Sequence, residues 1–325
     1  MNVVTISTVA EVGDDAELIG EDGVTVSAAD TLTLFTGAGS IGLSAGGVGM
    51  GIAVNVDVVT RTTRALVKPG AKLESSDGNV SVTATAVDNF DSIAASFGVG
   101  ANDVAVAFSV DVAVLNTTTE ADVQSGAGAD STEFLAGGDV TVMASSTFDV
   151  LFVAGGVAAS GSSASLGIAS NVLVHTDTVQ ALIGDHAKIE TGGDDSGARD
   201  GLIVDAFSSE SVLDIVVAAG VSGGSVGVGA SVLVSVMDET TRASVGDHVT
   251  VNAWNDSSTI NPGVFVDSDS MTTILSVAGG VAVSAGGPAV GAGVAVHSLT
   301  KMTEALVGDH VTIEGNPDVS GDIAD

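Results

Sequence analysis

The chain's one recurrent polar motif is a Gly-Asp-His triplet. It occurs at Gly184-Asp185-His186, Gly246-Asp247-His248 and Gly308-Asp309-His310, with Gly13-Asp14-Asp15 in the corresponding place near the start. Two chemistries suit these residue types. If equivalent Asp residues stack, their carboxylates form a column of hard oxygen ligands that could hold calcium between layers. A Gly followed by Asp between two short strands is also ordinary turn chemistry. One carboxylate per repeat supplies too few oxygens for a calcium shell, so the turn reading comes first. Asp14, Asp185, Asp247 and Asp309 stand as candidate calcium ligands behind it. Zinc is not expected, because each repeat offers one imidazole and the chain has no Cys.

A second place for calcium is the insert from Gly192 to Gly201, GGDDSGARDG, which carries Asp194, Asp195 and Asp200. Calcium loops alternate their oxygens around a Gly, and this loop fits that spacing only loosely. The matching insert, Asn255–Gly263, follows Trp254, the only Trp, whose ring could stack on a sugar or cap the array. Nucleophilic catalysis needs one converging Ser, His and acid set, and the five His are scattered through turns or stand singly. No cluster of acids and aromatics breaks the pattern as a glycosidase site would. No Gly pair precedes a helix start, so no phosphate loop is present. No enzyme is expected.

What must position these residues is a repeat. Phrases resembling ALVGDHVTIE begin at Ala10, Ala65, Ala121, Ala181, Ala243 and Ala305, spaced by 55, 56, 60, 62 and 62 residues. The units are 10–64, 65–120, 121–180, 181–242 and 243–304, with 305–325 opening a sixth. A period of this size marks an architecture in which each unit buries its apolar face on its neighbours. Each unit reads as a short strand (ALIG), a second (AKIE), a variable loop and a third strand such as VTVSA that runs into an apolar stretch. A small-residue turn follows, for example Ala45-Gly46-Gly47, and then a long returning strand. That turn is either an arch between sheets or a hairpin.

The returning strand alternates strictly. One side carries Gly49, Gly51 and Ala53, and in a later unit Gly227, Gly229 and Ser231; the other carries Met50 and Ile52, or Val228 and Ala230. Period two means strand, and a side of Gly, Ala and Ser means something packs very close to it. Both sides read as dry, in two apposed sheets. The uncharged run from Ser276 to Leu299 is long enough for a membrane helix, but small residues and a central turn make it a buried strand pair. If units stack in register, Arg64 faces Glu120 and Arg242 faces Glu304, which is mildly favourable.

The composition fits. There are 43 Gly, 41 acidic residues against 8 basic ones and a net charge of −33. Such a surface repels nucleic acid and anionic lipid, and keeps a Val/Ala/Gly-rich chain dispersed. Residues 1–10 show neither a basic region nor an apolar core of a signal peptide, so an export signal is expected to lie elsewhere in a longer protein.

The stretches VGMGIAVNVDVVTRTTRALV, GAKLESSDGNVSVTATA and GDVTVMASSTFDVLFVAGGVAASGSSASLGIASNVLVHTDTVQALIG resemble the repeats of giant bacterial surface proteins of the leukotoxin-type filamentous adhesin family. KPGAK and QSGAG depart from that pattern in the second and third units. The resemblance implies an exported, elongated, β-rich stalk and carries over no catalytic residue. The expectation is therefore an all-β, tandem-repeat, solenoid-like rod, extracellular or at the cell surface. Its partners would be neighbouring repeats, like filaments or surface glycans, with calcium the one cofactor to consider.

Overall fold

The structure is a computed structural model that describes residues 1–192, 201–253 and 263–315. Among these, β-branched residues and period-two alternation give strands throughout, and the only helical element is a single 3-10 turn at Gly128–Asp130. The strands fall into three sheets. Six long returning strands form the first: β1 (Asn2–Val12), β4 (Gly49–Val67), β7 (Ala105–Val123), β10 (Ala164–Ile183), β13 (Val226–Val245) and β16 (Ala289–Val307). Six short strands form the second: β2 (Glu17–Gly20), β5 (Lys72–Ser75), β8 (Glu133–Ala136), β11 (Lys188–Thr191), β14 (Thr250–Ala253) and β17 (Thr312–Gly315). Five long outgoing strands form the third: β3 (Gly23–Ser44), β6 (Asn79–Gly100), β9 (Val140–Ser160), β12 (Gly201–Ser222) and β15 (Gly263–Ser284).

Every ladder is parallel and joins strands one repeat apart. Ala10 pairs with Ala65, Ala65 with Ala121, Ala121 with Ala181, Ala181 with Ala243 and Ala243 with Ala305. The fold class is therefore all-β with parallel sheets. The small-residue turn is an arch: β3 hydrogen-bonds to β6, while β4 lies across from it in another sheet. The phrase read as a separate first strand, Ala181-Leu182-Ile183, is the end of β10.

Three expectations are corrected. The array has three sheets, not two, because the short strands turn the chain through a corner before the outgoing strand begins. At that end, Leu73, Phe134, Ile189 and Val251 from the short sheet meet Val67, Val82, Val142 and Val204 in one core. The core then narrows through Phe90, Phe148, Phe152 and Leu173 to an arch end lined only by Ala, Gly and Ser. The second correction concerns shape. A strand of 22 residues spans about 70 Å, whereas six layers stack to only about 25 Å. Within the described layers the molecule is a slab rather than a rod, since each repeat adds a single strand spacing of about 4.8 Å.

The returning strand also has one dry side rather than two. Its Gly/Ala/Ser side is the buried one: Ala105, Ala107 and Ala169 have no exposed surface, and Ser165 is 1% exposed. A Cβ added at Gly51 or Gly229 would overlap the carbonyl oxygens of Phe97 and Val281 in the facing sheet, which is why large residues cannot occupy this side. The large apolar side points outward. Met50, Ile52 and Val54 are more than half exposed, and even within the array Val232 and Val236 remain about 41–42% exposed.

Candidate functional site: the turn ladder and the buried ionisable layer

The predicted Asp residues stand where the turns join one layer to the next. The Asp185 carboxylate accepts the backbone N–H of Asp247 at 2.8 Å, and the Asp247 carboxylate accepts that of Asp309 at 2.7 Å. The return contact runs through the following residue: His186 N–H donates to the Asp247 carbonyl and His248 N–H to the Asp309 carbonyl, both at 2.8 Å. This residue adopts the left-handed conformation, with φ of 64° at His186, 58° at His248 and His310, and 55° at Asp15. Asp and His tolerate that region better than most residues. In the KPGAK unit Gly70 takes the same place, at φ 75°. The departure from Gly-Asp-His thus keeps the backbone geometry that the turn requires. The three imidazoles stack along the ladder, with ring centroids 5.0 and 4.8 Å apart.

Turn chemistry engages two of these carboxylates: one oxygen of Asp185 and one of Asp247 each accept an amide of the next layer. Asp14 is exposed in the first turn. Among the described residues no group of three or more His or acidic side chains stands close enough to hold a metal ion. Asp194, Asp195, Asp200 and Trp254 lie outside the described residues. The predicted charge pairing is present: Arg64 Nε is 2.7 Å from Glu120 Oε2, and Arg242 stands opposite Glu304 in the register.

Sequence reasoning missed a layer of ionisable side chains between the two long sheets. Arg61, 1% exposed, reaches from β4 to Asp30 at 2.7 Å and to Asp88 on the outgoing sheet. Two layers on, His175 stacks on Phe148 at 4.0 Å; its Nδ1 is 3.2 Å from the Leu115 carbonyl and its Nε2 is 3.5 Å from Glu210 Oε1. A carbonyl can only accept, so Nδ1 carries the proton and Nε2 faces the carboxyl group. Asp177 accepts from Thr117 and from Ser208, and Glu239 accepts from Thr272 at 2.6 Å with Lys301 at 3.5 Å. Nearer the arch, Asn55 donates to Asp57 at 2.7 Å, Ser92 to Asp111 at 2.6 Å, and Asn171 to Asp214 at 2.6 Å.

Burial dominates the electrostatics of this layer. Desolvation pushes Asp111 up to about 6 against the opposing hydrogen bond from Ser92. It pushes Asp214 to about 6 against Asn171, and Glu210 to about 7 against His175. For His175, burial alone would lower the value, but the hydrogen bond and charge of Glu210, together with the charge of Asp177 and the Leu115 carbonyl, outweigh it and raise it. Such perturbed groups often mark active sites. Here they face each other across a dry seam, and the surface hollows at Gly39–Phe97 and at Asp15–Glu133 contain none of them. A substrate has no approach to His175 or Glu210, both without exposed side-chain surface. What the arrangement can do is hold neighbouring layers in one register, since a slip would leave buried charges unpaired. The sequence signal was available in Asp57, Asp88, Asp111 and Asp214, which sit at inward positions in register with the buried apolar residues of their strands.

No protein-family model, curated protein or solved structure matches the chain. No helix among the described residues is long and apolar enough to cross a membrane.

Proposed function

We propose that the chain is a structural segment of a large secreted or surface-attached, adhesin-like bacterial protein, built as a parallel β-solenoid. One observation carries this reading. The register runs unbroken from Ala10 to Ala305, and the turn carboxylates of Asp185 and Asp247 serve contacts between layers, as do Asp177 and His175 in the seam. Side chains committed to holding one layer on the next are what a stacking scaffold needs. The geometry favours breadth over reach: at about 4.8 Å per repeat of 55–62 residues, the array is a poor spacer and a good wall. The resemblance to filamentous adhesin repeats and the acidic surface agree with an exported location. Antibodies against the chain should label intact cells or their surrounding matrix, and the chain should show no turnover of acidic polysaccharides. Labelling confined to permeabilised cells would overturn the reading.

A further inference from the structure

The outer side of the returning sheet is unlike an ordinary solvated surface. Over the arch half of β4, β7, β10, β13 and β16, the outward positions carry no charged residue, although the chain as a whole has a net charge of −33. One column is valine throughout: Val56, Val112, Val172, Val234 and Val296 stand side by side in register. The column beside it, Val54, Val110, Ser170, Val232 and Val294, is broken only by Ser170.

Dimensions decide what this surface can do. Five strands at about 4.8 Å spacing, read over nine residues at about 3.3 Å each, give a face of about 700 Å². That exceeds the apolar patch of about 300–600 Å² found on typical monomers. It also comes close to the roughly 800 Å² per partner that a stable protein interface needs. Its in-register columns of one residue type form parallel ridges and grooves that a copy of the same face can fill, as inner faces do in stacked sheets about 10 Å apart.

We propose that this face is an interface between two copies of the chain, which pack returning sheet against returning sheet through the Val56 and Val54 columns. The absence of charge on the face lets two acidic molecules meet there, with the carboxylates of the same sheet, Glu120, Asp122, Asp238 and Glu304, beyond it on the corner half, where salt screens them. A bilayer is the lesser fit. The chain has no Tyr and one Trp, so it lacks the aromatic girdle of lipid-facing sheets, and its acidity opposes anionic headgroups. The proposal rests on the geometry of the face and does not depend on surface location.

Sedimentation and light scattering of the chain should show a dimer or larger species that strengthens from low to about 0.15 M salt, where the screening length falls to about 8 Å. Val172→Lys with Val234→Lys should weaken association at least about 100-fold while strand content and melting temperature are kept. Val157→Lys on the outgoing sheet should leave association unchanged. The chain has no cysteine, so a spin label on Ser170→Cys gives a second reading that does not rely on charge insertion. Labels should broaden each other between molecules at Ser170→Cys and not at Val157→Cys. A chain that stays monomeric at about 100 μM, well above micromolar affinity, overturns the proposal. Association that survives the double Lys variant means pairing through another surface, the strand edges or the outer side of the outgoing sheet, and overturns it too. A monomer that floats with neutral phosphatidylcholine vesicles assigns the face to lipid instead.

Discussion

Nε2 of His175 lies 3.5 Å from Oε1 of Glu210, with neither side chain reaching solvent. The imidazole is tied to its own sheet by the Leu115 carbonyl, and the facing outgoing sheet supplies both Phe148, on which it lies flat, and Glu210. A pair of this kind contributes little net stability when intact, because desolvation offsets attraction. Its effect on the choice of register is larger.

Glu210→Leu should therefore be costly. It leaves a buried imidazole whose second nitrogen has lost its partner, and losses of about 3–5 kcal/mol are usual for such half-pairs. His175→Leu with Glu210→Leu should cost clearly less than the sum of the two single changes. Urea unfolding of the four proteins closes the cycle. Additive single effects would show that the two groups do not interact.

Stability should fall as pH rises through the range in which Asp111 and Asp214 titrate. Unfolded, these carboxyls titrate near 3.8; folded, at about 6. Between those values the folded state holds more protons, so the slope of unfolding free energy with pH is negative. The contribution is complete below the unfolded value and lost above the folded one, at about 1.4 kcal/mol for each tenfold difference in proton affinity between the two states. Surface acids act in the same direction, so the discriminating comparison is Asp111→Asn with Asp214→Asn. That variant should flatten the change in melting temperature between about pH 5 and 8. An unaltered slope would assign the whole effect to the surface.

Gly229→Leu tests the arch end. A Cβ there would overlap the Val281 carbonyl and come within 2.9 Å of the Ala218 carbonyl, so backbone must shift. Overpacking of this kind costs about 1–3 kcal/mol or more. Even Gly229→Ala should lower the melting temperature. Gly279→Ala, whose Cβ would meet nothing within 4 Å, should not. Equal effects at the two sites would contradict the inward assignment of Gly229.

How far the sequence disclosed this can be argued from single residues. The spacing of Ala10, Ala65 and their equivalents predicted the register, because parallel stacking makes a sequence period into a spatial one. The alternation around Gly229 predicted close apposition, because only a missing side chain explains Gly at every second position. The same alternation could not show that Val228 faces outward. Period two separates two sides without saying which is inside, and hydrophobicity misled here because the large apolar side is the exposed one. His175 and Glu210 lie 35 residues apart on different sheets, so their meeting depended on an arch that sequence could not tell from a hairpin.

Salt should stabilise the fold chiefly by screening. With 41 acidic residues against 8 basic ones, self-repulsion weakens the compact state at low ionic strength. The turn carboxylates would be the natural calcium ligands, yet Asp185 and Asp247 each already accept an amide from the next layer. An oxygen so engaged is a poorer ligand, and one carboxylate per layer falls short of calcium's shell of about six to eight oxygens. Sodium and calcium chlorides at matched ionic strength should therefore raise the melting temperature alike. Asp247→Ala should lower it in both salts equally, by freeing the Asp309 amide. A calcium-specific rise of several degrees, abolished by Asp185→Ala with Asp247→Ala, would show that the ladder binds the ion by mass action on the folded state. The same rise abolished only by Asp194→Ala with Asp200→Ala would place the ion at the insert instead.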